Sequence, residues 1–174
     1  MGTNQARRPH ATLSAMAAVA ALAGALLAPP ARADDAADCA KGDGKLLVGK
    51  VAAKPKFVHG KFLKGVELSH THISLVSDAD GKTYDVAIDN VFANGYKKNA
   101  KAVPAPLNAI KPGDRIAACG QPFDGGIHWV HTNCGDTPTT AHPDGWLRHY
   151  QADGSLGPNM ESNQAYCPLW GGSH

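Results

Sequence analysis

The chain has 174 residues, with 17 Lys and Arg against 15 Asp and Glu. Arg7, Arg8 and Arg32 fall within the first 33 residues and no acid does, which leaves 14 basic against 15 acidic residues beyond them, a net charge of −1. A near-neutral remainder of about 140 residues suffices for one domain with one core, and it excludes reading the basic whole-chain charge as a nucleic-acid signature.

Residues 1–33 read as an export signal. Arg7 and Arg8 give a basic start, Ala11 to Ala28 is an uncharged stretch rich in alanine and leucine, and Ala31-Arg32-Ala33 puts small residues where a signal peptidase reads. The stretch is too short and too weakly apolar for an anchor, so cleavage before Asp34 and a periplasmic or secreted destination are expected. All four cysteines, Cys39, Cys119, Cys134 and Cys167, lie beyond that cut. An even number in an oxidising compartment predicts two disulfides, and the lack of C-x-x-C spacing argues against a redox motif or a zinc ribbon.

Residues 34–44 form a short N-terminal segment. A first strand is expected at Leu46–Val51, a second from about Val66 to Val76, and a third at Thr83–Asp89, where Tyr84, Val86 and Ile88 alternate with Thr83, Asp85, Ala87 and Asp89. Asp80-Gly81 supplies the turn between the second and third. Residues 91–113 make a long connection or one short helix. Lys111-Pro112-Gly113-Asp114 leads into a fourth strand at Arg115–Pro122, and Asp124-Gly125 into a fifth at Ile127–Asn133. Five short strands, with the widest gap between the third and fourth, predict an all-β, OB-like five-stranded barrel over residues 45–134. Residues 135–174 are expected to be an irregular tail over the barrel, pinned by Cys167.

A two-residue Asp124-Gly125 turn sets Phe123 opposite Gly126. Extended regularly, that register puts Gln121 opposite His128, Gly120 opposite Trp129, Cys119 opposite Val130 and Ala118 opposite His131. Ile116, Ala118, Gly120, Ile127, Trp129 and His131 then share the core face, and His128 points the other way. His131 should be at least partly buried at the barrel rim beside Trp129. Cys119 and Cys134 could bond only if the chain turned back after His131, and the connectivity stays open.

Candidate chemistry centres on histidine. His70 and His72 are two apart and share a strand face, the spacing that offers two imidazoles to one metal. A transition metal on His70, His72 or His131 is the cofactor this spacing admits; rim or solvent histidines are the plain alternative. Asp85 and Asp89 sit on the polar side of the third strand. No nucleophile elbow, phosphate loop or H-E-x-x-H is present. Lys41, Lys45, Lys50, Lys54, Lys56, Lys61 and Lys64 face only Asp43 over their interval, which reads as a solvated surface, with an anion or nucleic-acid groove as the lesser reading.

The segments "GDRIAACGQPFDGGIHWVHTN" and "DGWLRH" resemble a family of small exported bacterial proteins known only as a domain of unknown function. That family has a glycine pair, then I/V-H-W-x-H, then G-W-L-x-H. The likeness implies an OB-like fold and a shared surface at Gly125, Gly126, His128, Trp129, His131, Gly145, Trp146 and His149, with His70 and Asn90 as weaker matches. It implies no reaction. The cysteines and the "CGDTPTTAHP" insertion depart from the family pattern. Three functions follow: a non-enzymatic binding module using His70, Asn90, His128, Trp129, His131, Trp146 and His149 on a small ligand or envelope component; a metal-assisted hydrolase such as a nuclease; or a structural envelope protein whose aromatic residues only dock the tail.

Overall fold

The structure is a computed structural model, and it describes residues 1–2 and 33–170. The expected export signal, residues 1–33, therefore lies almost wholly outside the described residues. Helix α1 (Ala33–Lys41) comes first, with Asp34 and Asp35 in its first turn and Lys41 in its last, the charge order that a helix dipole favours. The strands follow: β1 (Lys45–Val51), β2 (Lys56–Val58), β3 (Phe62–Leu63), β4 (Val66–Glu67), β5 (His70–Ser77), β6 (Thr83–Asp89), β7 (Arg115–Phe123), β8 (Gly126–His128) and β9 (Trp146–His149).

Five of these close a barrel. β1 pairs antiparallel with β5 and β7, β5 with β6, and β7 with β8, while β6 and β8 run parallel. The circular order β1-β5-β6-β8-β7 is an OB-type mixed barrel. Alternation explains which way its strands face. In β5, Thr71, Ile73, Leu75 and Ser77 are buried while His70, His72 and Ser74 lie half-buried on the other parity. In β6, Val86 and Ile88 turn inward. They meet Ile116, Ala118, Ile127 and Leu147 in one apolar core.

The connection from 90 to 113 holds two single 3-10 turns, Asn90–Phe92 and Leu107–Ala109, rather than one short helix, and Leu107 is fully buried. The tail is not wholly irregular: β9 pairs with β7. The outer face of β7 is also not solvent-facing. Ala117 and Cys119 are buried under α1, Trp146 and Tyr150 in a second apolar cluster. Two disulfides fasten these additions. Cys39–Cys119 ties α1 to β7, and Cys134–Cys167 ties the segment after β8 to the C-terminal turn.

The expected hairpin register holds for three pairs, Phe123 with Gly126 to Gln121 with His128, and then stops. Trp129 adopts φ 56°, in the left-handed region where a bulky residue is an outlier. The chain leaves the sheet there, and β9 takes the vacated edge of β7, with Cys119 opposite Trp146 and Ile116 opposite His149. The expected pairings of Gly120, Cys119 and Ala118 with Trp129, Val130 and His131 do not form. A positive φ resets the alternation, so Val130 joins the core while His131 is buried as well.

Two glycines make room for this departure. A Cβ on Gly120 would lie 2.2 Å from the His128 carbonyl oxygen, and one on Gly145 would lie 2.3 Å from that of Trp129. Both obstacles are backbone and cannot rotate away. We expect Gly145→Ala to destabilise the protein by about 1–3 kcal/mol, the scale of overpacking, and to shift tryptophan fluorescence; urea denaturation followed by that signal checks both.

Candidate functional site

Residues that leave the sheet build one end of the barrel. β6 ends at Asp89, and the Asn90–Phe92 turn follows. Buried Asn90 donates from Nδ2 to Ser69 Oγ (3.0 Å) and accepts from Thr71 Oγ1 (2.6 Å), which fixes the turn on β5. Phe92 is thereby aimed at His131, and the two rings stack 3.7 Å apart at 8°. The stack extends both ways. Trp170 lies 5.4 Å from Phe92; on the other side Trp129 lies 5.2 Å from His131 and His142 4.6 Å from Trp129.

Beside this row of five rings is a cavity of about 380 Å³, lined also by Asp89, Asn133, Asp136, Thr137 and Thr139. Hydrogen bonds hold its wall. Asn133 N–H donates to Asp144 Oδ1 (2.8 Å), Gln164 Nε2 to the Asn133 carbonyl (2.7 Å), and Asn163 Nδ2 to the Val91 carbonyl (2.9 Å).

His131 sits where expected, buried beside Trp129. Its Nδ1 lies 3.0 Å from the Thr132 carbonyl oxygen. A carbonyl only accepts, so this contact assigns the proton to Nδ1 and leaves Nε2 as an acceptor in the neutral ring. Burial pushes the imidazole below its ordinary value, outweighing the Thr132 hydrogen bond and the nearby Asp89 and Asp144. The ring is neutral at pH 7. Trp129 is half-buried at the rim, and its Nε1 is shielded without a hydrogen-bond partner.

The other anticipated residues divide. His70 does not line the cavity but holds a residue that does: its Nε2 lies 2.7 Å from Asp89 Oδ1. That hydrogen bond raises the His70 value against the opposing effect of burial. Burial pushes the Asp89 carboxyl up, but the hydrogen bond and charge of His70 work against it, and the acid is held below its usual range. Asn90 supports the cavity from beneath. His128 packs edge-on against Phe123 at 5.5 Å, away from the ring stack. Trp146 lies in the α1 cluster under Arg148, and His149 pairs with Asp114 at 3.2 Å. The tail thus brings His142 and Trp170 to Trp129 and His131, rather than Trp146 and His149.

The metal expectation is not supported. His72 is held by Asp85 at 2.7 Å just as His70 is held by Asp89, and the two imidazoles are 6.3 Å apart. Among the described residues no group of three or more His, Cys, Asp or Glu side chains is placed to hold a metal ion. His70 and His72 each found a carboxylate across the sheet instead. No family model, curated protein or solved structure matches the chain, so the site has to be read from its own geometry.

One buried acid stands out beside this end of the barrel. Glu161 is fully buried, neither carboxyl oxygen has a partner, and burial, followed by repulsion from Asp89, pushes its value well above the ordinary 4.5. Its backbone is useful, since the Glu161 carbonyl accepts from Thr132 N–H at 2.8 Å. A value raised in the folded state gives stability that is complete below 4.5 and lost as pH rises towards the folded-state value. Glu161→Met, which keeps length and removes both oxygens, should therefore gain about 1–3 kcal/mol at pH 8 and less at pH 4.5. Urea denaturation at both pH values checks this; a loss at pH 8 would mean that the carboxyl is held by a favourable contact.

Proposed function

We propose that the protein is an exported, non-enzymatic binding module whose ligand enters the aromatic cavity formed by Phe92, Trp129, His131, His142 and Trp170. The observation that carries this reading is the backbone of Trp129. A left-handed tryptophan costs on the order of 1–3 kcal/mol, and such strain gathers at functional sites. Its effect here is to swing an indole out of the sheet between His131 and His142. A tryptophan serving only to dock the tail has no need of a strained backbone, nor of an open cavity beside it. The cavity volume also falls in the range of small-molecule sites.

Two further points support export. The two disulfides are at home in an oxidising compartment. Asp35 of α1 accepts from Tyr150 Oη at 2.8 Å, a contact that a cut before Asp34 keeps. No helix among the described residues is long and apolar enough to cross a membrane. The likeness of the I-H-W-x-H segment to exported proteins of unknown function agrees with a site at Trp129 and His131.

Trp129→Gly separates a binding role from a packing role. Glycine accepts the left-handed backbone freely, so relief of strain offsets part of the lost indole contact. We expect a loss below about 2 kcal/mol, against about 3–5 for a tryptophan that is purely core, together with loss of cavity binders. A small-fragment screen by two-dimensional NMR on both proteins makes the measurement. Fragment shifts in the parent protein that avoid Trp129, His131 and Trp170 would defeat the proposal.

A further inference from the structure

The polar groups around the cavity are unevenly distributed by charge. Asp89 and Asp136 line it, and no lysine or arginine does among the described residues. His131 adds no positive charge: its ring is neutral at pH 7, with the Nδ1 proton committed to the Thr132 carbonyl, so Nε2 is left as an acceptor. Two carboxylates and an imidazole acceptor thus face the same space. Asn133, Thr137 and Thr139 add groups that can donate or accept.

The apolar part of the lining has a matching shape. Phe92 and His131 stack within 8° of parallel, and Trp170 lies within 18° of Phe92. Rings already stacked on one another offer a guest mainly their edges and the outer face of half-exposed Trp170. A flat guest fits beside such a row better than a globular one.

We infer that the ligand is a planar organic cation with N–H donors, of the amidinium or guanidinium class, its charged end at Asp89 and Asp136 and its flat body against the ring stack. This rests on the cavity being the binding site. The planar fork of an amidinium matches a carboxylate through two parallel N–H···O bonds. Its delocalised charge is more weakly hydrated than an ammonium, so entry to a partly apolar site costs less. A carboxylate ligand would instead meet two like charges and bring no donor to His131 Nε2, to Asp136 or to the Asp89 oxygen that His70 leaves free, the arrangement that excludes wrong partners most strongly.

Benzamidine, benzamide and benzoate share one shape and differ in charge, so they isolate this term. With mature protein at pH 7 and low ionic strength, NMR titration should show benzamidine binding at least tenfold tighter than benzamide, with benzoate weakest. Asp136 is exposed, so Asp136→Asn should fold normally, bring benzamidine close to benzamide, and leave benzamide unchanged. Added salt should weaken benzamidine alone. Equal binding of benzamidine and benzamide at the cavity, or tighter benzoate, would overturn the ligand class while leaving the cavity as the site. If none of the three perturbs Trp129, His131 or Trp170, and other fragments do, the ligand class again fails alone. If no fragment perturbs those residues, the binding site itself fails.

Discussion

The architecture turns on one backbone choice, the left-handed conformation at Trp129. Had the chain continued in the extended region, β8 would have run on beside β7 and filled its edge. Instead β8 stops after three residues, and β9 occupies the rest of that edge from another part of the sequence. The segment between them, 129–145, is forced over the end of the barrel, where it becomes one wall of the cavity. The docking of β9 and the formation of the site are therefore two results of the same interruption. Its cost is local strain and two glycines whose Cα atoms abut carbonyl oxygens. Its return is a row of rings that a regular sandwich of strands would have dispersed.

The five barrel strands were legible because period-two alternation is a local property, whereas the short β2 and β3 and the tail strand β9 were not. Tyr84, Val86 and Ile88 announce β6 with its bounds correct, and the Asp124-Gly125 turn fixes a register that holds as far as His128. What lies beyond His128 was not legible, for a physical reason. Tryptophan has no preference for positive φ, and nothing in "IHWVH" marks a reversal. The reversal is imposed by close approach to Gly120 and Gly145, and the second of these is 16 positions away in sequence. Parity arguments then fail one residue later. Strict alternation would put Val130 on the outer face with His128, yet it is core, and His131 is buried as expected only because both residues after the reversal turn inward.

The histidines show the same divide between local and long-range information. Spacing correctly put His70 and His72 on one face, but it could not reveal that on β6 Asp89 lies directly across from His70 and Asp85 diagonally across from His72. A His–carboxylate pair and a metal ligand look alike along the chain. Of the seven residues anticipated for a site, Trp129 and His131 line the cavity, and His70 and Asn90 hold what lines it. Phe92, His142 and Trp170 were missed as site residues. The only sequence signals for them were an apolar residue after a strand end, a histidine in a turn-rich insertion, and a tryptophan three places after Cys167.

That last spacing explains how so small a wall stays in place. The cavity end has its own minor apolar cluster, built on Val66, Val91, Phe92 and Cys167, separate from the barrel core. Such a cluster buries too little surface to hold two irregular segments by the hydrophobic effect alone, because ordering each residue costs about 1–2 kcal/mol. Cys134–Cys167 removes much of that cost beforehand by confining the unfolded chain. Hydrogen bonds from Asn163 and Gln164 then need only select among the conformers that remain. The barrel keeps its shape through burial, and the site keeps its shape through a covalent link and side-chain amides. This division lets the cavity hold polar and strained groups that a core of this size could not tolerate.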